Sequence, residues 1–161
     1  MPAVDPRVHV DHVALRVSDV ARSSAFYALV GGLEIREADP DHAALGAPAG
    51  GPPILHLRRA PDPSRRTFRA TGLFHTALLF EGRAGLGAAL ARLAEARIPL
   101  SGASDHGVSE ALYFDDPDGN GVEIYCDSPP ERWTYAAGGV LNVGMNEPFD
   151  PDILLTELDP R

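Results

Sequence analysis

GASDHGVSEALYFDDPDGNGVEIYC, residues Gly102 to Cys126, is the stretch on which the reading of this chain turns. Its second half reads as two short strands, Ala111–Phe114 and Gly121–Cys126, joined by the turn-forming run Asp115-Asp116-Pro117-Asp118-Gly119-Asn120. The spacing predicts a hairpin. Along its second strand the side chains alternate, so Glu123 and Tyr125 share one face while Val122 and Ile124 share the other. A carboxylate in the middle of an apolar strand is costly to bury without a cation beside it. Glu123 therefore asks for a partner, either an arginine such as Arg16 or Arg58 or a bound ion.

Outward from the hairpin, the chain repeats a pattern. Val8–Val17 alternates as a strand with His12, Ala14 and Arg16 on one face. A helix follows, with Asp19 as cap, Phe26, Tyr27 and Val30 at helical spacing, and Gly31-Gly32 as stop. Leu33–Ala38, Ala43–Leu45 and Ile54–Arg58 read as three further strands, and His56 lies on the last of them. Ala60–Ala70, polar and rich in proline and arginine, reads as a linker. Gly72–Phe80 then restarts the pattern as a strand presenting His75, Ala77 and Leu79 on one face. Leu86, Ala89, Leu90 and Leu93 mark an amphipathic helix, and the hairpin closes the second copy.

His12 and His75 are 63 residues apart at equivalent places in the two copies. His56 and Glu123 occupy equivalent last strands, 44 and 48 residues after the first-strand histidine of each copy. The arrangement is that of a duplicated βαβββ unit. The expected fold is α+β, with a module at 7–59 and a module at 71–127 forming a paired, cleft-enclosing mixed sheet, and an extension at 128–161. In that extension Trp133 and Tyr135 are expected to fold back onto the modules. Asp150-Pro151 is expected to start a helix carrying Ile153, Leu154, Leu155 and Leu158, for packing or a dimer contact.

A chain of 161 residues with 44% hydrophobic and 23% charged residues has the composition of a globular protein. Its net charge of -9 argues against a surface that tracks phosphates, so nucleic acid is not an expected partner. No apolar run approaches the ~20 residues that span a bilayer, and the start of the chain lacks the pattern of a secretory signal. The single Cys126 excludes an internal disulfide and suits a reducing, cytoplasmic setting. As it ends a strand with no evident base beside it, it reads as buried packing rather than a nucleophile.

If the two units pair their sheets around a cleft, their first and last strands present His12, His56, His75 and Glu123 to a common point. Two imidazoles and one carboxylate on one side of a divalent first-row metal leave coordination positions open for a substrate and oxygen. A lone strand histidine is more commonly a hydrogen-bonded core or surface group. It is the recurrence at corresponding strands that favours ligands. His106, in a polar segment before the hairpin, and Tyr113 matter only if they face the same point. His9 and His42 are expected to be surface bystanders.

The stretches VDHVALRVSDVARSSAFY, LFHTALLF and GASDHGVSEALYFDDPDGNGVEIYCDSPPERW resemble the vicinal oxygen chelate superfamily of glyoxalases, bleomycin-resistance proteins and extradiol dioxygenases. The likeness is strongest to the catechol 2,3-dioxygenase-like branch, and extends to the tail EPFDPDILLTELDP. The resemblance implies Fe(II), with Ni, Zn or Mn as substitutes, held by His12, His75 and Glu123. It also implies an acid/base role for His56 or a fourth ligand there, and supporting roles for His106 and for Tyr113, ten residues before Glu123. A glyoxalase I would carry a carboxylate where this chain has His56. The activity implied is extradiol cleavage of a catechol-like aromatic diol with O2, by a homodimer. The alternatives are a metal-dependent, thiol-using lyase of glyoxalase type and a metal-free protein that binds a small ligand.

Overall fold

The computed structural model describes residues 9–60, 72–142 and 146–158. The chain divides into two compact units, Met1–Ser64 and Arg65–Arg161. Each contains the βαβββ order expected from the sequence. Most of the predicted linker falls outside the described residues, apart from the buried Ala60.

The first unit runs β1 (Val13–Val17), α1 (Val20–Gly31), β2 (Glu34–Ala38), β3 (His42–Gly46) and β4 (Leu55–Arg59). Its sheet has the order β1-β4-β3-β2, with β1 parallel to β4 and the other pairs antiparallel. Asp19 caps α1 by accepting the Arg22 amide at 2.9 Å, and Gly32 ends the helix in the left-handed conformation that glycine tolerates best. Tyr27 and Val30 of α1 are fully buried, as are Val17, Leu45 and Leu57 of the sheet. Burying such side chains stabilises by about 1.5–3 kcal/mol each.

The first strand is shorter than its alternation predicts, because β1 is an edge strand bonded only to β4. Val13 pairs with Leu55, where β4 begins, and among the described residues 9–12 join no ladder. His12 therefore lies one residue outside the strand. The second unit repeats the effect: β5 starts at Thr76, opposite Val122, and His75 sits one residue before it.

The second unit comprises β5 (Thr76–Leu79), α2 (Gly82–Glu95), β6 (Gly102–Asp105), β7 (Ser109–Asp115), β8 (Gly121–Asp127) and a short β9 (Glu147–Pro148). The sheet order is β5-β8-β7-β6-β9, with β5 parallel to β8. The predicted hairpin is β7–β8. Its turn is built on the buried Asp116 carboxylate, which accepts the amides of Asp118 and Asn120 and the Asn120 side chain, with Gly119 at φ 80°. Val122, Ile124 and Cys126 face the core, with Leu86, Ala89, Leu90 and Leu93 of α2 also buried. Glu123 consequently points to the opposite side.

The C-terminal segment packs within the second unit. Pro151–Leu158 forms a 3-10 helix against α2, not the α-helix its spacing resembles. Leu154 is fully buried, and its carbonyl lies so close to Gly87 that no side chain fits there. Arg83 ties the segment down by pairing with Glu157 at 3.1 Å and with the buried Glu110 at 2.8 Å. Trp133 donates its indole N–H to the Ser128 carbonyl at 2.9 Å. Tyr135 does not fold back as expected: it is 57% exposed and bridges Leu141 in a small surface turn.

Candidate active site

In the second unit one row of residues crosses the sheet away from α2. Ala77 on β5, Glu123 on β8, Tyr113 on β7 and Gly102 on β6 are successive cross-strand partners. His75 shares their face two residues before Ala77, and its Nε2 lies 2.7 Å from Glu123 Oε2. Gly121 makes this approach possible, because a Cβ there would meet the Phe74 carbonyl at 2.7 Å and the His75 Cβ at 3.3 Å. The other carboxylate oxygen, Oε1, accepts the Tyr113 hydroxyl at 3.0 Å. His106 Nε2 bonds the same hydroxyl at 2.8 Å. The result is a chain of four side chains, His75, Glu123, Tyr113 and His106. Burial, and then the Glu123 charge, push the Tyr113 phenol up to about 12, so it stays a proton donor through the neutral range.

A cleft of about 850 Å³ opens over this row, lined by His75, His106 and Tyr113 together with Ser104, Asn146 and Pro148. The last two come from the C-terminal segment, which β9 fastens to β6 and whose Asn146 bonds the Ser104 hydroxyl. The extension therefore supplies a wall of the cleft, a contribution with no signature in its sequence.

In the first unit the corresponding row is Ala14, His56 and Ala44. His12 lies ahead of it, with its ring 4.6 Å from that of His56 and Nδ1 2.9 Å from Asp11 Oδ2. Behind it His42 Nε2 lies 3.1 Å from His56 Nδ1, and the two rings stack at 24°. The expectation that His42 is a surface bystander is thus corrected. It faces His56 because β3 and β4 pair Ala44 with His56 and His42 with Arg58, putting all four on one face. Desolvation, followed by the nearby His12, His42 and Arg58, holds the His56 imidazole below its ordinary pKa.

Among the described residues no group of three or more His, Cys, Asp or Glu side chains is arranged to hold a metal ion. The donor chemistry nevertheless fits one. His75 Nε2 and Glu123 Oε2 lie 2.7 Å apart, an imidazole and a carboxylate side by side as a divalent metal's ligand set requires. Engagement of His12 Nδ1 by Asp11 leaves its Nε2 as the free donor, the pattern in which an outer carboxylate orients a ligating imidazole. Within its own unit Glu123 is partnered by His75 and Tyr113.

The family model described as Glyoxalase/Bleomycin resistance protein/Dioxygenase superfamily matches residues 9–124. The chain belongs to this superfamily. Within it, the chain is 39% identical over 137 residues to a catechol-2,3-dioxygenase of Bacillus subtilis, covering 83% of this chain and 46% of that protein. It is 33% identical over 132 residues to biphenyl-2,3-diol 1,2-dioxygenase 2 of Rhodococcus globerulus, covering 72% of this chain and 58% of that protein. The chain thus spans about half the length of these curated relatives. Among solved structures, a glyoxalase/dioxygenase from Nostoc punctiforme superposes with a TM-score of 0.61 at 26% identity, over 80% of this chain and 99% of that one. The fosfomycin resistance protein FosX of Listeria monocytogenes shares the superfamily fold at 16% identity, with a TM-score of 0.58 over 78% and 97% of the two chains.

Proposed function

We propose that this superfamily member is a non-haem Fe(II)-dependent extradiol dioxygenase that opens the ring of a catechol-like aromatic diol. The observation that carries the reading is the continuous His75–Glu123–Tyr113–His106 chain at the edge of a cleft large enough for an aromatic ring. The 39% identity to a protein named catechol-2,3-dioxygenase supports it. The proposed ligands are His12, His75 and Glu123, the first two each one residue ahead of the first strand of a βαβββ unit and the third on β8. A divalent iron there would accept both oxygens of the diol and leave a position for O2.

The chain's own groups supply the rest. His56, kept neutral by its desolvated position, is the base for a diol hydroxyl proton. Tyr113, with its proton held to about 12, donates it in a hydrogen bond to Glu123 Oε1 and so fixes that ligand, while His106, bonded to the same hydroxyl, is placed to stabilise negative charge developing on oxygen. Phe74 and Pro148 supply apolar surface to the cleft beside His75 and Asn146.

The same proposal carries a homodimer, which sedimentation measurements would test, and completes the metal set within one chain or between two. The activity test is aerobic mixing of Fe(II)-loaded protein with a panel of catechols. A ring-fission product absorbing in the visible or near ultraviolet, with equimolar oxygen uptake, is expected. Iron-loaded protein that consumes no oxygen with any catechol, but turns over a methylglyoxal–thiol adduct, would replace this reading with the lyase.

A further inference from the structure

The two units use one structural device twice. In the second unit the site residue on the last strand, Glu123, is held by Tyr113 from the strand before it. In the first unit the site residue on the last strand, His56, is held by His42, again from the strand before it. Tyr113 stands directly opposite its partner, whereas His42 is opposite Arg58 and reaches His56 diagonally. Neighbours two residues apart across a ladder remain within reach of aromatic side chains.

We propose that His42 is a positioning residue for His56, accepting on its Nε2 a hydrogen bond from His56 Nδ1–H and so keeping the His56 Nε2 lone pair free for the substrate. This deepens the proposed function and rests on the reading of His56 as the base. The contact involves Nδ1 of His56, so only one proton can lie between the two rings. If His42 donated it, His56 would carry its own proton on Nε2 and could not act as a base. If His56 donates it, the reaction follows. The diol O–H bond breaks, its electron pair stays on the diol oxygen, and the proton goes to His56 Nε2 while the Nδ1 proton stays on His56, hydrogen-bonded to His42 Nε2. The stacking at 24° with centroids 5.3 Å apart restricts rotation of the His56 ring about this bond. His12, at 4.6 Å and edge-on, closes the other side.

The proposal predicts a tautomer and a kinetic pattern. Nitrogen-15 correlation spectra of the metal-free protein above neutral pH should show His56 protonated on Nδ1 and bare on Nε2. In His42→Ala that preference should be lost. In His42→Gln, whose side-chain oxygen can still accept, it should be retained. With Fe(II) and catechol, His42→Ala should lower kcat by about tenfold to a hundredfold with KM little changed, and His42→Gln should recover most of it. Wild-type His56 carrying its proton on Nε2 would overturn the proposal. So would a His42→Ala variant with the same tautomer and the same kcat. Should the wild type open no catechol ring, the dioxygenase reading fails while the spectra still decide whether His42 sets the tautomer.

Discussion

Glu123 meets His75 diagonally: its partner across the β5–β8 ladder is Ala77, yet the carboxylate turns to place Oε2 2.7 Å from His75 Nε2. Tyr113, which is its direct cross-strand partner, fixes that turn by donating to Oε1 at 3.0 Å. Tyr113→Phe removes the donor and leaves the ring packing, so the fold should survive. Metal affinity or turnover should fall by about tenfold to a hundredfold, the usual cost of losing a group that orients a ligand. Isothermal titration with Co(II) beside a thermal melt separates the two effects.

Gly121 makes the room for that approach. A Cβ at residue 121 would sit 2.7 Å from the Phe74 carbonyl, a backbone atom that cannot swing aside, and 3.3 Å from the His75 Cβ. Gly121→Ala should therefore cost about 1–3 kcal/mol of stability. It should also weaken metal binding more than an equally destabilising change elsewhere in the unit. Denaturant titration and metal titration of the same preparation check both numbers.

Gly87 plays the same part for the C-terminal segment, whose Leu154 carbonyl rests where a side chain would be. Gly87→Ala should lift the 3-10 helix off α2, again costing about 1–3 kcal/mol. It should also expose 151–158 to protease ahead of the rest of the unit. Because Asn146 and Pro148 wall the cleft, KM for an aromatic substrate should rise with it.

Cys126 is 1% exposed, and burial pushes its thiol up to about 11, with Glu110 adding to the effect and Arg83 opposing it. The folded pKa lies above the unfolded one, so this group favours the native state below the ordinary thiol pKa and loses that contribution as pH rises toward 11. Ellman's reagent at pH 8 should leave the native thiol almost unlabelled and modify it within minutes after unfolding.

The duplication was legible because its signals are local: Asp19 and Gly32 bound one helix, Leu86 to Leu93 mark the other, and Asp116 to Asn120 make the turn. His75, Glu123, Tyr113 and His106 could be singled out by spacing and resemblance, and their contacts join them within one unit. His42 was not legible. Its importance lies in the register of β3 on β4, which pairs it with Arg58 and so leans it on His56, and no periodicity in a five-residue strand reports that. The extension's share of the cleft was hidden for a similar reason, since β9 is two residues long and its partner β6 is distant in sequence. Tyr135 was misjudged because a large aromatic normally buries its ring, whereas here a surface turn leaves it in solvent.

The central claim is that one metal ion is held jointly by His12, His75 and Glu123. Anaerobic Fe(II) titration of the wild type and of His12→Ala, His75→Ala and Glu123→Gln tests it most directly, with His9→Ala as the control. One equivalent per chain is expected, weakened by about tenfold or more in each of the three variants and unchanged in the control. Wild-type protein that takes up no stoichiometric metal, or a His12→Ala variant that binds it as tightly as the wild type, would contradict the account.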